Sequence, residues 1–171
     1  MATYEYDITH AVSLSSLLDL EYGDAYYGST RDGDLYFSKR LRVDDWETAT
    51  DQDKIKALYE ATSIIEALNF RGYKSDAGQR LQFPRGSDTE VPEAINNAAY
   101  EIAILLLGGL DPEIESQNAN VKQFKFGQIT TEYSDSKSTP PHVSAGIFSA
   151  KAWRLLYPFI RQNTEVDLVR V

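Results

Sequence analysis

Apolar residues recur at helical spacing through most of the chain. The clearest case is Ile55, Leu58, Ala61, Ile65 and Leu68, a stripe that buries one face of a helix. Thr50 supplies its cap, with Asp53 three residues on as a variant capping box. A second strong helix opens with Pro92 at its first position and Glu93 in its first turn. Ile95, Ala98, Ile102, Leu105 and Leu106 line its buried face, and Gly108-Gly109 stops it. Weaker patterns predict a short helix from Ser13 to Leu20, another capped by Thr30, and a last one from about Ser144 to Leu156 carrying Ile147, Ala150, Trp153 and Leu156. Asp44-Asp45-Trp46 reads as a turn between helices, with the indole anchoring it by burial.

Between these helices the pattern changes. Residues 70–91 form a polar loop in which Pro84 holds Phe83 extended and Gly86 closes the segment. Residues 121–133 alternate like two short strands around Gly127. Asp135–Pro141 is a loop, and His142, just after two prolines, is expected in solvent. Pro158 ends or kinks the last helix. Thr164 to Val171 alternates Val166, Leu168 and Arg170 against Glu165, Asp167 and Val169, an edge strand with no downstream mate. The expected fold is mainly α, a helical bundle with a β-hairpin and an extended C-terminal arm. It divides into a tyrosine-rich extension (1–29), a helical domain (30–160) that includes the hairpin 121–133, and the arm (161–171). The tyrosines at 4, 6, 22, 26 and 27 can pack on this subunit or on a neighbour, with a neighbour slightly favoured.

Composition adds exclusions. At 171 residues, 42% hydrophobic and 25% charged, the chain is long and apolar enough for one core. It has no cysteine, so disulfide scaffolds, thiol catalysis and cysteine-ligated metals are out. The apolar run Ile102–Leu107 is far shorter than the ~18 residues of a membrane span, and the N-terminal residues lack a signal-peptide pattern. Neither His10 nor His142 has metal-ligand spacing to another ligand. Asp32 and Asp34 around Gly33, like Asp44-Asp45, read as solvated turns rather than a calcium loop. Neither phosphate-binding glycine pattern occurs. The expectation is a protein that is not an enzyme and takes no cofactor.

Charge is unevenly distributed. The net charge is −9, but residues 1–120 sum to −12 and residues 121–171 to +3. Such polarity suits stacking of acidic on basic surface between copies, or a basic end facing nucleic acid, or merely an uneven solvated surface. Lys122, Phe124, Lys125, Phe126 and Tyr133 mix cations with aromatics as a single-strand stacking platform does. The competing reading is a hairpin with the two phenylalanines buried. Arg80, Phe83 and Arg85 form the other candidate contact: this loop either docks on an acidic neighbour through its bidentate arginines or stabilises itself. On the docking reading, Arg85→Ala leaves monomer stability within ~0.5 kcal/mol. The arm, through Val166, Leu168, Val169 and Arg170, is expected to add a strand to a partner.

The order of features resembles a family of tailed-bacteriophage head-to-tail adaptors, some of whose members carry a DnaT-like single-stranded-DNA-binding label. The resemblance spans about residues 30–171. It rests on Asp34-Leu35-Tyr36-Phe37 with Arg40-Leu41, Trp46, Ala57-Leu58 with Ala61-Thr62, and Gln79 through Arg85. It continues with Pro92 and Ile95, Ala98 to Glu101, Val121-Lys122, Phe126-Gly127, Ile129, Glu132-Tyr133 and Leu156 through Phe159. The resemblance implies a ring of copies, twelve in the usual case, in the virion neck and assembled in the host cytoplasm. It would sit with a portal protein above and a tail or nozzle protein below, genomic DNA passing without sequence-specific contact and no membrane involved. An acidic channel wall would let that DNA slide. The alternatives are a single-stranded-DNA-binding replication accessory, or another neck or tail completion protein.

Overall fold

A computed structural model describes residues 25–119, 123–126, 129–132 and 140–161, and the fold among them is mainly helical. The elements are α1 (Thr30–Phe37), α2 (Asp44–Glu47), α3 (Asp51–Glu66), α4 (Glu93–Leu107), α5 (Pro112–Ala119), α6 (Pro141–Ser144) and α7 (Ala150–Leu156), with a 3-10 turn at Tyr157–Phe159. The expected helix at Ser13–Leu20, most of the hairpin 121–133, the loop from Asp135 and the C-terminal arm lie outside the described residues. Of the hairpin only the backbone of Gln123–Phe126 (β1) and Ile129–Glu132 (β2) is described, running antiparallel.

The core is built round α4. Its buried residues run nearly all the way round the helix, including Ile95, Ala98, Ala99, Tyr100, Glu101, Ile102, Ala103 and Ile104, as a helix enclosed by neighbours requires. Three alanines let α3 and α7 approach closely, and these are its main packing partners. The stripe on α3 is buried at Leu58, Ala61 and Ile65, while Ile55 and Leu68 are half-buried at its margin. The Thr50 cap forms as expected, its hydroxyl oxygen accepting from the Asp53 amide at 3.2 Å. Pro92 is the cap residue of α4 rather than its first helical residue. At the other end Gly108 caps and Gly109 takes φ +87°, a left-handed stop.

Four local expectations give way. Ser29, not Thr30, caps α1, its Oγ accepting from the Asp32 amide at 3.0 Å. Asp44-Asp45-Trp46 begins a short helix, α2, instead of a turn. The helix expected from about Ser144 to Leu156 begins only at Ala150, because Gly146 adopts φ +78° and Ser149 caps a fresh start, accepting from the Ala152 amide at 3.1 Å, while a separate short helix, α6, ends at Ser144. His142 therefore sits on α6, half-buried, with its ring 6.5 Å from that of Trp153. Helix α5 was not anticipated, although Asp111, Pro112 and Glu113 are a start signal: the Asp111 carboxylate accepts from the Glu113 amide at 2.9 Å.

Tyr26 and Tyr27 are buried in this chain's own core and not turned to a neighbour. The Tyr27 amide donates to Thr62 Oγ1 at 2.9 Å, and Gly28 follows at φ +76° with the Tyr100 ring against it. A Cβ there would fall 2.5 Å from that ring. Gly33 is a second close approach, since its Cβ would lie 2.6 Å from the Trp46 indole.

Candidate functional site

Four polar networks hold the helices and loops in place, and they take up Arg40, Lys54 and Arg85 among the cations. The Asp34 carboxylate accepts from Trp46 Nε1 and from Lys54 Nζ, both at 2.8 Å, tying α1, α2 and α3 together around an indole that is 1% exposed. Burial works to raise the Asp34 pKa, but the hydrogen bonds from Lys54 and Trp46 leave it below the usual carboxylate range. These two aspartates of α1 are not the solvated turn expected: Asp34 is a structural acceptor.

Glu101, buried on α4, accepts from Arg40 Nη1 at 2.5 Å and from the Tyr36 hydroxyl at 2.6 Å. Burial, and then the adjacent Glu101 carboxylate, push the Tyr36 hydroxyl up to about 12. The Tyr27 hydroxyl donates to Glu66 in a very short contact and accepts from the Phe83 amide at 3.1 Å. Burial, followed by Glu66, raises its pKa far above that of an ordinary tyrosine. Glu66 also receives the Gln82 amide at 2.9 Å.

The fourth network is Arg85. Its guanidinium donates to the carbonyls of Arg71 (3.0 Å), Gly72 (2.7 Å), Phe70 (3.4 Å) and Gln82 (3.3 Å) and to Gln82 Oε1 (2.7 Å). It also lies 5.9 Å and 5.8 Å from the Phe70 and Phe83 ring centroids. Loop 70–91 has no regular structure, so its carbonyls need side-chain donors, and Arg85 supplies them. Loop and C-terminal segment meet where the Arg71 amide donates to Phe159 O at 3.0 Å and the Arg161 amide to Asn69 O at 2.9 Å.

These facts relocate the expected contact residues. Phe83 is 1% exposed and packs edge-on against Tyr27, Phe70 and Phe159, so it belongs to the core and offers a partner nothing. Arg85 is half-buried and committed to carbonyls within the chain. Arg80 is exposed and donates to Tyr59 Oη at 3.1 Å. Lys125 lies on β1, where only the backbone is described. Lys122, Val166, Leu168, Val169 and Arg170 lie outside the described residues.

What the described body presents instead is acid. Residues 25–119 contain 17 acidic and 10 basic residues. Seven of those ten bases, at 40, 54, 56, 71, 74, 80 and 85, hydrogen-bond to groups of this chain. Beside α3 and the end of α4 run two clefts of about 420 and 600 Å³ that share Glu60 and Leu106. A third, of about 760 Å³, lies between α1 and α4 near Leu35, Tyr36 and Asn97. Among the described residues no group of three or more His, Asp or Glu side chains could hold a metal ion, and no helix is long and apolar enough to cross a membrane.

The class defined by this geometry is a small helical domain whose residues 25–119 are acidic in balance and hydrogen-bond most of their cations within the chain. The chain belongs to the family described as putative DnaT-like ssDNA binding protein, whose model matches residues 23–171. That match takes in Tyr26 and Tyr27, which pack into the core. No curated protein and no solved structure matches the chain.

Proposed function

We propose that this protein is a non-catalytic structural subunit, an adaptor that forms a ring at the head-to-tail junction of a tailed bacteriophage. The observation that carries the reading is that most cations of residues 25–119 are hydrogen-bonded within the chain. A body that must hold phosphates keeps its lysines and arginines available, whereas residues 25–119 hydrogen-bond seven of their ten to carboxylates, a hydroxyl and carbonyls of the same chain and carry 17 acidic residues. Such a surface suits a wall past which DNA slides. The resemblance to head-to-tail adaptors supports the same reading, because its residues Asp34, Tyr36, Arg40, Trp46, Arg85 and Glu101 are those that build the networks. They define a scaffold and not a ligand site. The segment 121–171, at +3, and the arm within it are then the contacts to portal or neighbour.

The second reading is single-stranded-DNA binding, favoured by the family's description. Its platform would be Lys122, Phe124, Lys125, Phe126 and Tyr133. Fluorescence anisotropy of a labelled oligothymidylate against the full chain, at low and high salt, separates the two. The adaptor reading expects no saturable binding at moderate salt. Nanomolar binding by a monomer, steeply weakened by salt, would replace it with the second.

A further inference from the structure

The described surface carries one projection that the networks above do not explain. Between α1 and α2 the chain runs Lys39-Arg40-Leu41-Arg42, and Leu41 is 88% exposed, more than any other large apolar side chain described. The loop is nonetheless firmly set. Arg40 is fastened to the buried Glu101 at 2.5 Å, and its amide donates to Phe37 O at 2.9 Å. Arg42 sits at φ +61°, a left-handed conformation taken by no other described non-glycine residue. Such a conformation costs of order 1 kcal/mol or more for a residue with a Cβ. Held strain next to an exposed leucine is the signature of a surface shaped for contact, and preorganisation lowers what association must spend on ordering.

We propose that Leu41, flanked by Lys39 and Arg42, is a knob that inserts into the groove beside α3 and α4 on a second copy of this chain. The complementarity is of two kinds. The two clefts sharing Glu60 and Leu106 form one groove whose apolar floor includes Leu106, Leu107 and Ile64. Its rim carries Asp45, Asp53, Glu60, Asp111 and Glu113, against one lysine, Lys56, which is already 3.0 Å from Asp53. A leucine between two cations fits an apolar groove bordered by carboxylates. Knob and groove are different residues, so a copy that gives its knob to one neighbour can offer its groove to another, and association of this head-to-tail kind continues until a ring closes. The inference rests on the ring reading and adds a contact between copies that is built from described residues.

The chain has no cysteine, which permits a clean test. A tagged Leu41→Cys chain is mixed with an untagged Glu60→Cys chain and treated with a short bismaleimide. A parallel mixture uses Tyr73→Cys, at another exposed position. The 41–60 product should exceed the 41–73 product about tenfold, the preference given by ~1.4 kcal/mol. Equal yields, or no 41–60 product, overturn the proposal. The double variant Leu41→Cys/Glu60→Cys should give a ladder ending in a closed ring. A product that stops at dimers would keep the contact and overturn the ring. Amine-reactive cross-linking of the native chain should likewise give a ladder, lost in Leu41→Asp. A ladder that survives Leu41→Asp refutes the knob and leaves the ring, and no ladder from the native chain refutes both.

Discussion

Loop 70–91 and loop 38–43 are both irregular and both rich in arginine, yet they use it in opposite ways. In the first, Arg85 faces inward, answers four backbone carbonyls and covers Phe83, which is 1% exposed. In the second, Arg40 faces inward to Glu101 while Leu41 is left 88% exposed. The long loop must supply its own secondary-structure substitute, because 22 residues without a helix leave many carbonyls seeking donors. In the short loop the anchored arginine answers a carboxylate rather than carbonyls, and the apolar residue beside it stays in solvent. An arginine beside an aromatic is therefore no sign of an interface by itself.

Substitutions can break this contrast. Phe83→Ala empties a packed site among Tyr27, Phe70 and Phe159 and should cost about 3–5 kcal/mol, as should Trp46→Ala on the opposite side of the core. Denaturant unfolding measures both, and an unchanged midpoint for Phe83→Ala would return that residue to the surface. Arg85→Ala strands the carbonyls of residues 70–72 and 82 and should cost about 2–3 kcal/mol. This reverses the neutral effect expected of an interface arginine. Arg40→Ala leaves Glu101 with the Tyr36 hydroxyl alone. Because Arg40 is a quarter exposed, the loss should be smaller than for a fully buried pair, about 2 kcal/mol.

Alkaline titration probes the same anchor. Tyr36 is raised to about 12 in the folded chain against about 10 when unfolded, so its neutral form favours folding. That contribution is complete below pH 10 and is lost as pH rises toward 12. Phenolate absorbance should therefore show Tyr36→Phe removing a late-titrating tyrosine. Smallest of all, Leu41→Ala should change the unfolding free energy by no more than ~0.5 kcal/mol, since the side chain touches solvent. A larger loss would mean that the knob belongs to the fold.

The sequence by itself determined the parts that depend on neighbours a few residues away. The apolar spacing on α3, the Thr50 cap and the glycine stop after α4 are all functions of spacing or size, and local geometry fixes them whatever the rest of the chain does. Two local signals were present but outweighed: Gly146 with Ser149, masked by apolar residues at helical spacing, and Asp111-Pro112-Glu113, in a stretch with little apolar pattern. Only the tertiary structure decided where the charges point. Asp34 finds Lys54 twenty residues on, Arg40 finds Glu101 across 61, and Tyr27 reaches Phe83 across 56. A polar side chain keeps its partners in water until packing removes the water, and what replaces it depends on which distant groups the core brings within 3 Å. That is why Phe83 and Arg85 read as contact residues in the sequence and are interior in the molecule, while Leu41 is the residue left outside.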